Sequence, residues 1–160
     1  MYADVKLRDK AGAVSGYISR TAKPGASKLL FNSMASTTPF EMGRELDAVS
    51  ALRPRVKKAI VHMVLSLSPD EEITDRLFVE MALEVRKRFG LSDTQVAVWR
   101  HSDTANPHIH VLMNRVSPSG EVSSMWGKQK VLRQFCDDMR QQHGFRKPEK
   151  TGPRGQSLGM

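Results

Sequence analysis

Cysteine is nearly absent: Cys136 is the one thiol in 160 residues, so no internal disulfide can form. It lies among Val131, Leu132, Phe135 and Met139 in a segment patterned as a helix, and reads as a small core residue. The chain also lacks a signal peptide, any apolar run long enough to cross a bilayer, internal repeats and low-complexity tracts, so a soluble cytoplasmic protein without membrane insertion is the expectation. Tyrosine is scarce: Tyr2 and Tyr17 are the only two, so chemistry that needs a phenol has a narrow choice. Acidic residues are the minority, 17 against 25 Lys plus Arg, which gives a formal net charge of +8 and a pI of about 9.9. That balance favours a polyanionic partner held with salt-dependent affinity.

What is present suits one domain with a real core. Helix signals separate candidate strands. Thr38-Pro39-Phe40-Glu41 supplies an N-cap, a proline at the first helical position and a capping acid, for a helix that stops before Arg53-Pro54. Residues 74–89 carry Leu77, Phe78, Met81, Ala82, Val85 and Phe89 on one stripe and end at Gly90. A last helix is expected over 128–143, stopped by Gly144, with 1–145 as the functional domain and 146–160 as a basic linker or tail. Strands near 3–8, 27–34, 58–67, 95–101 and 108–116 make a five-stranded sheet. The fold class expected is α/β: a two-layer sandwich with a mostly antiparallel sheet and helices packed on one face. Strand order does not follow from the sequence.

The densest chemistry is in His101-Ser102-Asp103-Thr104-Ala105-Asn106-Pro107-His108-Ile109-His110, a turn-rich segment between two β-branched and aromatic runs. In an antiparallel hairpin, His108 and His110 project from one face, and His101 folds back beside them. Three imidazoles with coordination positions left open suit a catalytic divalent ion, with Zn, Mn, Ni, Cu or Fe compatible. Asp103 is placed to hold a ring N–H of His101 and fix its tautomer, although an Asp in a turn often caps its own backbone.

The run His-Ser-Asp-Thr-Ala-Asn-Pro-His-Ile-His-Val-Leu-Met-Asn-Arg-Val resembles the third motif of the relaxase/mobilization nuclease family, HUH-type enzymes that nick DNA to start conjugative transfer, and is most similar to its VirD2-like branch. Gly16-Tyr17-Ile18-Ser19-Arg20 matches the place of the family's nucleophilic tyrosine. His62-Met63-Val64-Leu65-Ser66-Leu67-Ser68-Pro69 resembles its serine-containing motif, and the matches follow the family's order. The resemblance implies a bacterial cytoplasmic enzyme that uses Mg²⁺ or Mn²⁺, with Zn²⁺ or Ni²⁺ able to occupy the site. Its implied partners are single-stranded DNA at a transfer origin, an accessory DNA-binding nicking protein and a type IV secretion coupling protein. It also implies that Ser66 helps hold DNA near the nick, and that His101 acts as base, ligand or both.

A phenol is a weak nucleophile near neutral pH unless a metal, cation or base favours the phenolate. Tyr17 is favoured over Tyr2 because a terminus is where order is least expected, against the alternative that its ring merely packs on the sheet. In the expected reaction Tyr17 attacks a scissile phosphate, leaving a 3′ hydroxyl and a 5′ phosphotyrosine, while His101, His108 and His110 hold the ion. Arg20, Lys23 and Arg100 are candidates for phosphate contacts. His62 shares a strand face with Ser66 and reads as structural or surface. Trp99 is expected to pack in the hairpin, and Trp126 to be exposed. Three other readings stand beside this one: a rolling-circle replication initiator or transposase, a non-catalytic single-stranded DNA-binding module, and a small metalloenzyme unrelated to DNA. The first usually carries its tyrosine after the histidine motif, and no tyrosine follows residue 110 here.

Overall fold

A computed structural model describes residues 1–19 and 25–148. Nine elements follow in order: β1 (Tyr2–Arg8), α1 (Gly12–Ser19), β2 (Ser27–Asn32), α2 (Pro39–Ser50), β3 (Ile60–Ser66), α3 (Asp75–Arg88), β4 (Val96–His101), β5 (His108–Asn114) and α4 (Lys128–His143). All four strand pairings are antiparallel, and the sheet order is β1-β3-β5-β4-β2. The α/β architecture with a five-stranded antiparallel sheet agrees with the sequence reading.

Local chemistry sets the helix ends. The Thr38 hydroxyl accepts from the Glu41 amide at 3.3 Å with Pro39 in the first turn of α2, and the Thr74 hydroxyl caps α3 through the Leu77 amide at 3.1 Å. Arg86, Lys87 and Arg88 close α3, where the helix dipole favours cations. α4 stops where Gly144 turns left-handed at φ 73°, its amide donating to the Arg140 carbonyl.

The sheet separates two apolar clusters. On one face Met63, Leu65, Val98, Ile109 and Val111 pack against Phe78, Met81 and Val85 of α3 and Leu132, Phe135 and Met139 of α4. Each such side chain contributes about 1.5–3 kcal/mol on burial. Cys136 is buried there, as expected, and burial pushes its thiol up to about 11. Arg88 joins the two helices, with Nη1 2.6 Å from the Asp138 carboxylate and its guanidinium over Phe135.

The expectation of helices on one face describes α3 and α4. α1 and α2 lie on the other, where Ile18, Met42 and Leu46 cover Ile60, Ala97, Trp99 and Leu112. Trp99 is therefore packed as expected, and Trp126 stands 91% exposed. α1 and α2 approach closely because Gly12 meets Gly43: a β-carbon on Gly43 would lie 2.9 Å from the Gly12 Cα and 2.7 Å from the Ser15 Oγ. Arg146, placed by the sequence reading in a tail, is fastened to the body by an ion pair with Asp70 and by its amide on Glu71 at 3.1 Å.

Candidate functional site

Side-chain alternation and strand register together assemble the site. On the face shared with α1 and α2, Tyr2, Ser66, His108, His101 and Ser27 form one cross-strand row, and Asp4, Val64, His110, Trp99 and Leu29 form the next. His62 lies one row further on, in register with Lys6 and Leu112. The β4–β5 turn is tied to the end of β3: the Asn106 side chain and the Pro107 carbonyl both bond to Leu67, each at 2.9 Å.

The three expected histidines converge. One ring nitrogen from each of His101, His108 and His110 lies within 4.8 Å of the others, and all three rings are buried. The His101 and His110 rings are 4.2 Å apart between centroids, and His108 is 5.4 Å from each. Among the described residues, the buried side-chain nitrogens and oxygens without a hydrogen-bond partner are Nε2 of His108 and Nε2 of His110. An orphaned, desolvated lone pair costs about 1–3 kcal/mol, so two in one cluster fit a set of donors built around a cation. Burial and the adjacent His101, His62 and His108 push His110 down to about 2; burial, Arg8 and Lys6 hold His62 at about 4. His101 is also lowered, chiefly by burial, and only partly offset by its hydrogen bond to Ile18. These rings are neutral near pH 7, the form that ligates a metal.

The opposite nitrogens are anchored. His108 Nδ1 is 2.9 Å from the Asn106 carbonyl and 3.4 Å from the Thr104 hydroxyl. His101 Nε2 is 2.5 Å from the carbonyl of Ile18, in the last turn of α1 and next to Tyr17 in the chain. His110 Nδ1 is 2.9 Å from His62 Nε2.

Two expected roles change. Asp103 was to orient His101 through a ring N–H, but its Oδ1 is 4.0 Å from His101 Nδ1 and 3.7 Å from His108 Nε2, beyond hydrogen-bond range. The Ile18 carbonyl orients His101 instead. Arg100 was a candidate phosphate contact, but alternation sends it to the opposite face, where Nη1 meets the Ile73 carbonyl and the Asp75 carboxylate, each at 2.9 Å, and the guanidinium covers Phe78. Arg20 and Lys23 lie outside the described residues.

Tyr17 is half exposed on α1. Tyr2, discounted as terminal, is ordered in β1, 41% exposed and in the row of His108. Burial raises its phenol pKa, with Asp4 adding to the effect, so Tyr2 is harder to ionise than an ordinary tyrosine. Ser66 is 2% exposed, in that row between Tyr2 and His108. His62, read from sequence as structural or surface, is buried inside the cluster. Its strand parity was legible, but its neighbour was not, because the pairing of β3 with β5 is a tertiary fact.

A model of the MobA/VirD2-like relaxase nuclease domain matches residues 17–145, a span that opens on Tyr17 and contains the whole histidine hairpin. No curated protein matches the chain. A structure solved for work on the molecular basis of vancomycin resistance transfer in Staphylococcus aureus is similar in fold, with a TM-score of 0.55 at 14% identity, covering 90% of this chain and 94% of its own. With most of its length inside the family match, and with the family's histidine motif folded into one buried cluster, the chain belongs to the MobA/VirD2-like relaxases as a nuclease domain, a family that nicks DNA for mobilization.

Proposed function

We propose that this domain nicks and rejoins one strand at a transfer origin through a covalent phosphotyrosine, with Tyr17 as nucleophile and His101, His108 and His110 as the holders of a divalent ion. The observation that carries the reading is the pair of orphaned Nε2 atoms in a buried three-histidine cluster, wired through Ile18 to the helix that bears Tyr17. Bound there, a divalent cation supplies charge that polarises a phosphate oxygen. Mg²⁺ or Mn²⁺ is the proposed ion.

The reacting bonds balance without an outside reagent. The Tyr17 oxygen loses its proton and bonds to phosphorus, the bond from phosphorus to the 3′ oxygen breaks, and that oxygen takes up a proton. The reverse reaction reseals the strand, because the phosphotyrosine keeps the phosphodiester's free energy. His101 has Nε2 committed to the Ile18 carbonyl, which leaves Nδ1 as its one lone pair, serving either the ion or the Tyr17 proton at a given moment. Lys6 and Arg8 are exposed on β1, on the histidine face and close enough to act on His62, and they supply attraction for the DNA backbone. Ser66 contributes a hydroxyl to the histidine row, between Tyr2 and His108.

The test is incubation with labelled single-stranded oligonucleotides from candidate transfer origins, with Mg²⁺ or Mn²⁺ and with EDTA, on a denaturing protein gel. Metal-dependent label on the wild type and on Tyr2→Phe, lost in Tyr17→Phe, is the expected result. Label that survives Tyr17→Phe and disappears in Tyr2→Phe moves the nucleophile to β1. Oligonucleotides that are bound and never cut put a non-catalytic binding module in its place.

A further inference from the structure

We infer that His62 is a positioning residue of the metal centre, holding His110 in the one tautomer that leaves Nε2 free to ligate. The inference rests on the metal-centre reading proposed above.

A neutral imidazole carries one proton on one of two nitrogens. For His110 Nε2 to offer a lone pair, the proton must sit on Nδ1, and Nδ1 faces His62 Nε2 at 2.9 Å. Their ring centroids are 5.1 Å apart with an interplanar angle of 23°, a separation compatible with an N–H···N bond of 2.9 Å between the ring edges. His110 Nδ1–H therefore donates, His62 Nε2 accepts, and the His62 proton goes to its own Nδ1. The opposite polarity places a proton on His110 Nε2, aimed into a cluster where that atom is buried and has no acceptor.

The other two ligands are fixed in the same way but by different means. His108 donates to the Asn106 carbonyl and His101 to the Ile18 carbonyl. A backbone carbonyl can only accept, so those tautomers are set by the main chain. His110 is the one whose tautomer depends on a side chain, and that side chain comes from β3, outside the hairpin that supplies the three ligands. Partners that orient a ligand in this manner typically carry 10–100-fold of metal affinity.

The experiment compares the wild-type chain with His62→Leu, which removes the acceptor, and His62→Gln, which returns a carbonyl oxygen. Mn²⁺ and Zn²⁺ dissociation constants are read by titration calorimetry beside the metal-free melting temperature. His62→Leu is expected to weaken both ions by about 10–100-fold, and His62→Gln to recover most of that loss. Should His62→Leu fail to fold, long-range ¹H–¹⁵N histidine spectra of the wild type, free and Zn²⁺-loaded, decide the matter: His110 protonated on Nδ1 and bare on Nε2 is expected. Unchanged ion affinity in a folded His62→Leu, or His110 protonated on Nε2 in the wild type, overturns the role of His62 alone. A wild-type chain that binds neither ion overturns the metal centre and this inference with it.

Discussion

Four of the five histidines lie in one buried cluster, and a desolvated cluster has thermodynamic consequences. A cation that binds the folded chain stabilises it by about 2.7 kcal/mol at a free concentration near 100 times Kd. Mn²⁺ or Zn²⁺ is expected to raise the melting temperature by several degrees, EDTA to reverse the rise, and His110→Ala to abolish it, as checked by scanning calorimetry. In the metal-free chain, acid acts on the same rings. His62 at about 4 and His110 at about 2 lie below the ordinary histidine value of 6.5, so the unfolded chain binds more protons and stability falls as pH drops below 6.5. The two rings touch, so they take up protons as a coupled pair and the loss deepens as the pH falls through that window. Urea midpoints between pH 7 and about 4 in EDTA are expected to show this slope, and His62→Gln to reduce it. Arg100→Ala gives a contrasting outcome: a loss of about 1–2 kcal/mol from its bonds to Ile73 and Asp75, with single-stranded DNA affinity unchanged in a filter or anisotropy assay. The parity that sends Arg100 away from the site was already in the sequence, since neighbours of His101 in a strand must face the other way.

At the scale of elements, the histidine hairpin was legible because alternation and a turn of Asp, Thr, Asn and Pro leave one economical arrangement. The helices were legible through their caps, and α4 spans the residues expected. What was not legible is how α1 reaches the sheet. Its contact with α2 depends on Gly12 opposite Gly43, and its last turn delivers the Ile18 carbonyl to His101. Neither helix carries a pattern that names the other, because a close crossing is encoded by the absence of side chains on both. Gly43→Ala places a methyl group 2.9 Å from the Gly12 backbone, so α1 must move away. A cost of about 1–3 kcal/mol in stability is expected, together with a fall in covalent DNA labelling larger than the fall in DNA binding. Comparing the two on one protein preparation checks it, and equal losses in both argue that α1 only supports the fold.

For the molecule as a whole, the net charge of +8 sets the long-range attraction, and Lys6 and Arg8 place part of it on the histidine face. Each phosphate contact on a single strand adds about −0.7 to the slope of log affinity against log salt. The double variant Lys6→Ala/Arg8→Ala is expected to flatten that slope by about 1.4 while leaving the labelling rate at saturating DNA unchanged; an unaltered slope takes β1 off the DNA path. No helix among the described residues is long and apolar enough to cross a membrane. The strand order was the global property that residue patterns did not reach, since every strand pairs with strands distant in sequence except at the one hairpin.

That order has a bearing on the birth of the enzyme. β1 with β3 and β2 with β4 are the pairs that residues 1–101 can make, and β5 alone joins them at the centre. A nascent chain on the ribosome thus exposes Tyr17 long before it owns His108 and His110. β5 carries His108 and His110 and is also the strand that joins the two pairs, so the strand that closes the sheet is the one that completes the three-histidine cluster.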